Sequence, residues 1–207
     1  MRVEKLKAAF EIETVLVHFP LHPETPLEGR EMASFYRQRG IDPEASYQRM
    51  KKLMDEEGLP YGRRTHTYNS RLAQELGKWA DTQPGGEAIH DKLYKAYFVE
   101  GRNIGDPDIL VEIAVSVGLP AEEARAVLTE RRFQEAVDAD WQQSHQYGVT
   151  GVPTFVADRY GVVGAQPYSV LEQLIAKAGA VRRDQTGGLD QRKTAGGIPS
   201  RTCPQVS

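Results

Sequence analysis

The sequence predicts an α/β fold in which a long helical block interrupts a small sheet. Three observations carry that expectation. An apolar, β-branched run stands near the start at 14–19 (TVLVHF). Two more short runs stand near the end, at 154–158 (TFVAD) and 161–165 (GVVGA). From 30 to 147 the apolar residues instead recur at helical spacing. One strand before the block and two after it cannot each bury a sheet of their own. The flanks are therefore expected to form one domain around the insertion.

Residues 2–10 (RVEKLKAAF) set Val3, Leu6 and Phe10 at helical spacing and read as the end of a helix. The run at 14–19 shows little alternation, as expected of a strand covered on both faces in a parallel sheet. Residues 22–29 (HPETPLEG) form a Pro/Gly-rich connection. Within the block, Pro43 opens a helix that closes at Gly58. Asn69 caps the next, with Leu72, Leu76 and Trp79 on one face. Ile89, Leu93, Ala96 and Tyr97 mark a third. Asp106 followed by Pro107 is a strong helix start, a cap and then proline at the first helical position. Its stripe is Ile109, Leu110, Ile113, Ala114 and Val117, and Gly118 ends it. Pro120 opens a helix with Ala124, Val127 and Leu128, and a last one near 131–146 carries Phe133, Val137 and Trp141. The two late runs, separated by Arg159 and Tyr160, read as a hairpin. Pro167 opens a final helix with Val170, Leu171, Leu174 and Ile175 inward and Gly179 at its C-terminal end. Residues 182–207 have few large apolar side chains and no period, so a disordered tail is expected. This order matches a thioredoxin-type βαβ…ββα frame carrying a helical insertion. The expected organisation is a thioredoxin-like domain from 1–29 and 148–181, a helical insertion from 30–147 and a tail from 182–207.

Composition excludes several functions. The 207 residues are 40% hydrophobic and 27% charged with a net charge of −3, which gives no electrostatic reason for a nucleic-acid or membrane partner. No apolar run approaches the roughly 18 residues that span a bilayer. The first residues lack the basic-then-apolar order of a signal peptide, so a cytoplasmic location is expected. The single cysteine, Cys203, cannot form an internal disulfide, a C-x-x-C motif or a thiolate metal site.

The stretch 148–156 (GVTGVPTFV) places Pro153 where a strand should begin. Proline donates nothing to a ladder and is tolerated at a strand's first residue or edge. Two readings stand on the residues alone. The bond after Val152 is an ordinary trans bond at a strand start, or it is cis, which costs only roughly 0.5–1 kcal/mol before proline. A cis bond would turn the Val152 N–H and C=O outward, free to pair with an extended peptide.

The segment YGVTGVPTFVADRYGVVGAQPYSVLEQLI resembles the C-terminal part of the DsbA-like thioredoxin superfamily, and within it the FrnE-like cytosolic subfamily. There a G-V-x-G-V-P-x-F segment carries a cis-proline loop and a G-A-Q-P turn, here residues 164–167, opens the last helix. The front end, VEKLKAAFEIETVLVHFPLHPETPLEGRE, resembles that family's first helix, second strand and the loop into its insertion. The resemblance implies thiol–disulfide oxidoreductase chemistry, in which a thiolate attacks a disulfide sulfur and a mixed disulfide forms as a thiolate leaves. It implies that Val152, Pro153 and Thr154 hold the substrate. A stretch similar to the family's F-x-x-G-x-x-I-x-D, met by Phe98, Gly101, Ile104 and Asp106, implies groove contacts from Phe98 and Ile104. The implied partner is a thiol or disulfide peptide, with glutathione a candidate guest and no other cofactor.

The family's nucleophile lies in a C-x-x-C at the N-terminus of the first helix, where the helix dipole stabilises a thiolate. This chain has no such motif, so no catalytic residue is carried over and the chain as written is expected to be catalytically silent. The first strand is absent as well, which would leave 14–19 and 154–158 facing a gap. A natural protein that starts upstream of Met1, a partner or second copy filling the gap as in a homodimer, and a fragment that folds poorly each explain this. Two other functions remain open: a glutathione-binding isomerase or transferase of the kappa or hydroxychromene-carboxylate isomerase type, and a non-catalytic peptide-binding module.

Other side chains carry groups capable of chemistry. Cys203 reads as a second redox thiol or as an incidental tail thiol. His18 and His22 stand four apart but lack a third ligand, so no metal is expected. Arg63, Arg64, Thr65, Thr67 and Asn69 precede a helix N-terminus and read either as an anion site or as a solvated loop with a cap.

Overall fold

A computed structural model describes residues 2–186. The elements in chain order are α1 (Arg2–Ala9), β1 (Arg30–Glu31), α2 (Met32–Arg37), α3 (Pro43–Glu56), β2 (His66–Thr67), α4 (Arg71–Ala80) and α5 (Ala88–Phe98). They continue with α6 (Pro107–Ser116), α7 (Ala121–Glu130), α8 (Gln134–Gln146), β3 (Thr154–Ala157), β4 (Tyr160–Val163), α9 (Tyr168–Lys177) and α10 (Arg183–Thr186). The chain divides into two compact units, Met1–Val15 with the chain from Pro153 onward, and Leu16–Val152. These borders differ from the expected ones because flanking residues are tied to the helices. The His18 N–H donates to Asp140 at 2.8 Å, the Asn69 side chain to the Thr25 carbonyl at 2.7 Å, and the Val149 N–H to Ser144 at 2.9 Å.

In the smaller unit β3 and β4 form an antiparallel hairpin, with Thr154 opposite Val163 and Ala157 opposite Tyr160. The turn is Asp158–Arg159, one residue earlier than expected, with Asp158 in the left-handed region at φ 53°. That is a conformation Asp tolerates better than most residues. Leu6, Phe10 and Leu171 form the core, packed by Phe155, Val162, Tyr168 and Ile175. The order extends past the expected tail boundary. Arg182 pairs with Phe10 across an isolated bridge, stacks over its ring at 5.0 Å and forms an ion pair with Glu172 at 2.9 Å. Arg183 donates to the Lys7 carbonyl at 3.0 Å. The rest of the expected tail, with Cys203, lies outside the described residues.

In the larger unit the expected helices form, and their caps explain where. Asp42 and Asp106 accept from the amides of Glu44 and Asp108, each ahead of a proline at the first helical position. Asn69 Oδ1 accepts from the Arg71 amide at 2.9 Å. Leu76, Ile89, Leu110, Ala114, Val127 and Leu128 build the core from α4, α5, α6 and α7. The block is not wholly helical: β1 and β2 pair antiparallel, Arg30 with Thr67 and Glu31 with His66.

The strand expected at 14–19 is corrected. Its residues take no place in any ladder among the described residues, and Val15 is 77% exposed with Leu16 and Val17 also exposed. β-branched composition favours extended backbone, but a strand also needs a neighbour's hydrogen bonds and a covering layer. Among the described residues no helix is long and apolar enough to cross a membrane.

Candidate functional site

Pro153 follows a bend at Gly151 and Val152 and precedes the first residue of β3. Its carbonyl accepts from the Gly164 amide at 2.7 Å, which closes the open end of the hairpin. The lack of a proline N–H costs nothing there, because the ladder's amides begin at Thr154. Val152 is 51% exposed, and Pro153 is also exposed. Thr154 is half-buried opposite Val163. The Gly164–Pro167 turn is held on the same unit, where Arg2 donates to the carbonyls of Ala165 and Gln166 at 3.0 and 2.8 Å.

Phe98 and Ile104 are not equivalent. Phe98 ends α5, half-buried, edge-on to Tyr97 at 4.8 Å and stacked with Tyr94 at 6.1 Å. Ile104 is 7% exposed and belongs to the core. The structure gives it a packing position, whereas Phe98 reaches a surface.

The surface beside Phe98 is built by residues 61–65. Gly62 makes that possible: its amide donates to the Phe98 carbonyl at 2.9 Å, and a Cβ there would lie 1.9 Å from the Val99 carbonyl oxygen. The close approach sets the Arg64 guanidinium over the rings of Tyr97 (4.3 Å) and Phe98 (4.8 Å). The neighbouring polar groups are taken. Arg63 grips Glu44 through two hydrogen bonds of 2.6 and 3.0 Å and stacks over Tyr47 at 4.1 Å. Those bonds, with one from Gln48, hold the Glu44 carboxyl down to about 2. Thr65 meets His66 at 2.9 Å, Thr67 meets the Tyr97 hydroxyl at 3.1 Å, and Asn69 caps α4. The anion site expected from these five residues therefore reduces to Arg64, whose Nε is sealed from solvent without a hydrogen-bond partner. Arg64 lines a cleft of about 240 Å³ together with Met32, Tyr36, Tyr47, Met50 and Tyr61. The signal for that wall in the sequence is the i, i+3 spacing of Tyr47 and Met50 along α3.

Two buried charge clusters lie elsewhere in the larger unit. Glu75, fully buried on α4, accepts from Arg71 at 2.7 Å and from Arg131 at 2.7 and 2.6 Å. Burial alone would raise its carboxyl, but the two arginines outweigh it and hold it below its ordinary value. Arg71 also pairs with Asp138 at 2.7 Å and stacks over Trp141 at 4.6 Å, so the cluster joins α4 to α8. His18 stands by a second set: Lys78 pairs with Asp140 at 2.8 Å, and His90 with Asp81 at 2.7 Å. The His18 Nε2 is buried without a partner, and desolvation pushes the ring down to about 4 against a smaller opposing pull from Asp140. His18 is thus a neutral packed imidazole. Among the described residues no group of three or more His, Cys, Asp or Glu is arranged to hold a metal ion.

Residues 1–176 match the model of the DSBA-like thioredoxin domain. The chain belongs to that family. The DsbA-like chain is similar in structure to a probable DsbA oxidoreductase from Streptomyces coelicolor, with a TM-score of 0.79 and 31% identity over 98% of this chain and 88% of that one. It is 30% identical to the uncharacterized protein YwbO of Bacillus subtilis over 112 residues, 54% of this chain and 56% of YwbO. It is 29% identical to the ClpXP adapter protein SpxH of Halalkalibacterium halodurans over 118 residues, 54% of this chain and 38% of SpxH. The DsbA-like chain thus spans about half the length or less of these two relatives in the aligned parts.

Proposed function

We propose that this DsbA-like chain holds an extended thiol or disulfide peptide at Val152, Pro153 and Thr154, and that the 207 residues do not turn over disulfides on their own. The observation that carries the reading is the exposed Val152–Pro153 step at the head of a hairpin closed by the Pro153–Gly164 hydrogen bond, in a chain of this family. An exposed apolar side chain at the head of a ladder suits strand-like docking of a peptide. The resemblance at 148–167 supports a cis Val152–Pro153 bond and a FrnE-like place within the family. Thiol–disulfide exchange needs a thiolate that attacks one sulfur, forms a new S–S bond and releases the other sulfur as a thiolate. The one cysteine, Cys203, has no partner in the chain for the resolving step. Phe98 is proposed as a further substrate contact, and a thiol such as glutathione as a partner of the exchange.

A second reading is a binding module without redox chemistry, favoured by the similarity to a protein named as a ClpXP adapter. An insulin-reduction assay driven by dithiothreitol tests the first reading's silence: the chain should leave the background rate unchanged, and acceleration would refute it. Binding of a fluorescein-labelled cysteine peptide, with and without a mixed-disulfide cap on its sulfur, separates the two readings. A preference for the capped, disulfide-bearing form supports the family chemistry, and equal binding supports the plain binding module.

A further inference from the structure

We infer that the cleft bounded by α2, α3 and residues 61–65 is a binding site for a small organic carboxylate with a flat apolar body, anchored by Arg64. The site lies wholly within Leu16–Val152 and does not depend on the thiol chemistry. The state of the Arg64 side chain leads there first. Arg64 carries a guanidinium with no ion-pair partner among the described residues, and its Nε is sealed from water with no acceptor. The terminal guanidinium nitrogens make no hydrogen bond among the described residues and are not sealed, so they are the donors an incoming carboxylate reaches. The rings of Tyr97 and Phe98 lie against the guanidinium, which fixes its plane and points the remaining donors in a set direction.

The wall is chemically mixed in a way that selects an organic rather than an inorganic anion. Tyr36, Tyr47 and Tyr61 offer flat faces, with Tyr47 and Tyr61 stacked at 5.8 Å, and Met32 and Met50 offer polarizable, adaptable surface. The competing charges are settled: Arg63 is held by Glu44, and Glu31, the only carboxylate lining the cleft, is exposed at its edge. The wall is also not covered by the fold, since neither α2 nor α3 carries a buried residue. The volume of about 240 Å³ falls below the roughly 300–1,000 Å³ of drug-sized sites, which limits the ligand to one ring and a short acid chain.

The test uses 4-phenylbutyrate and its neutral amide as probes, titrated into the full chain by calorimetry. The acid is expected to bind saturably and the amide about tenfold more weakly or worse, a difference of about 1.4 kcal/mol. Arg64→Gln should bring the acid down to the level of the amide. Met50→Glu, on the open lip where the side chain is 42% exposed, should weaken the acid by a similar factor without disturbing the fold. Equal binding of acid and amide overturns the proposal, as does no saturable binding of the acid. Unchanged binding in either variant overturns it too, and Met50→Glu alone decides if Arg64→Gln fails to fold.

Discussion

His18 shows how one side chain couples the fold to pH. Its ring is neutral in the folded chain because burial outweighs Asp140, while Lys78 and His90 add to the penalty on a proton and Asp81 offsets little of it. The unfolded ring titrates near 6.5, so as pH falls from 6.5 to about 4 the unfolded chain takes up a proton that the folded chain refuses. Stability is then lost through that window by up to about 3 kcal/mol. Urea midpoints should fall between pH 8 and pH 5 in the wild type, and His18→Leu should flatten that dependence. The unpartnered Nε2 means the substitution removes no hydrogen bond from that atom. Glu75 makes the opposite case, a charge the fold has fully matched. Glu75→Ala strands Arg71 and Arg131 and should cost roughly 2–4 kcal/mol, moderated because Asp138 still faces Arg71. Thermal or urea unfolding reads this directly.

Among the elements, helices were the legible part, because a helix is announced locally. Asp42–Pro43, Asn69 and Asp106–Pro107 each combine a cap with a start, and the stripes of α4 and α6 face the core they predict. The hairpin was legible to within one residue, since Asp158 rather than Arg159 opens the turn. The strand expected at 14–19 was not, because strand formation depends on a neighbour that composition cannot name. The β1–β2 ladder and the Arg64 cleft escaped for the same reason: both join residues far apart in sequence. The site expected before α4 dissolved residue by residue into local partners, leaving Arg64. Gly62 is the element-scale test of that cleft. Gly62→Ala drives a methyl group into the Val99 backbone and should cost about 2–3 kcal/mol. It should also detach residues 61–65 from the end of α5, seen as faster hydrogen exchange at the Gly62 amide.

At the scale of the whole molecule, a DsbA-like family frame stands in a sequence with one cysteine. Family membership over residues 1–176 assigns the DsbA-like thioredoxin architecture. The single cysteine underlies the proposal that these 207 residues do not turn over disulfides on their own. The peptide-holding surface proposed above centres on Val152, which is 51% exposed. The most direct measurement is fluorescence anisotropy of a labelled extended cysteine peptide against wild type and Val152→Glu, with no reductant present. The account predicts saturable binding by the wild type and a loss of about tenfold or more in the variant, with unchanged thermal unfolding. Equal affinity of the two proteins, or no saturable binding to the wild type, would contradict it.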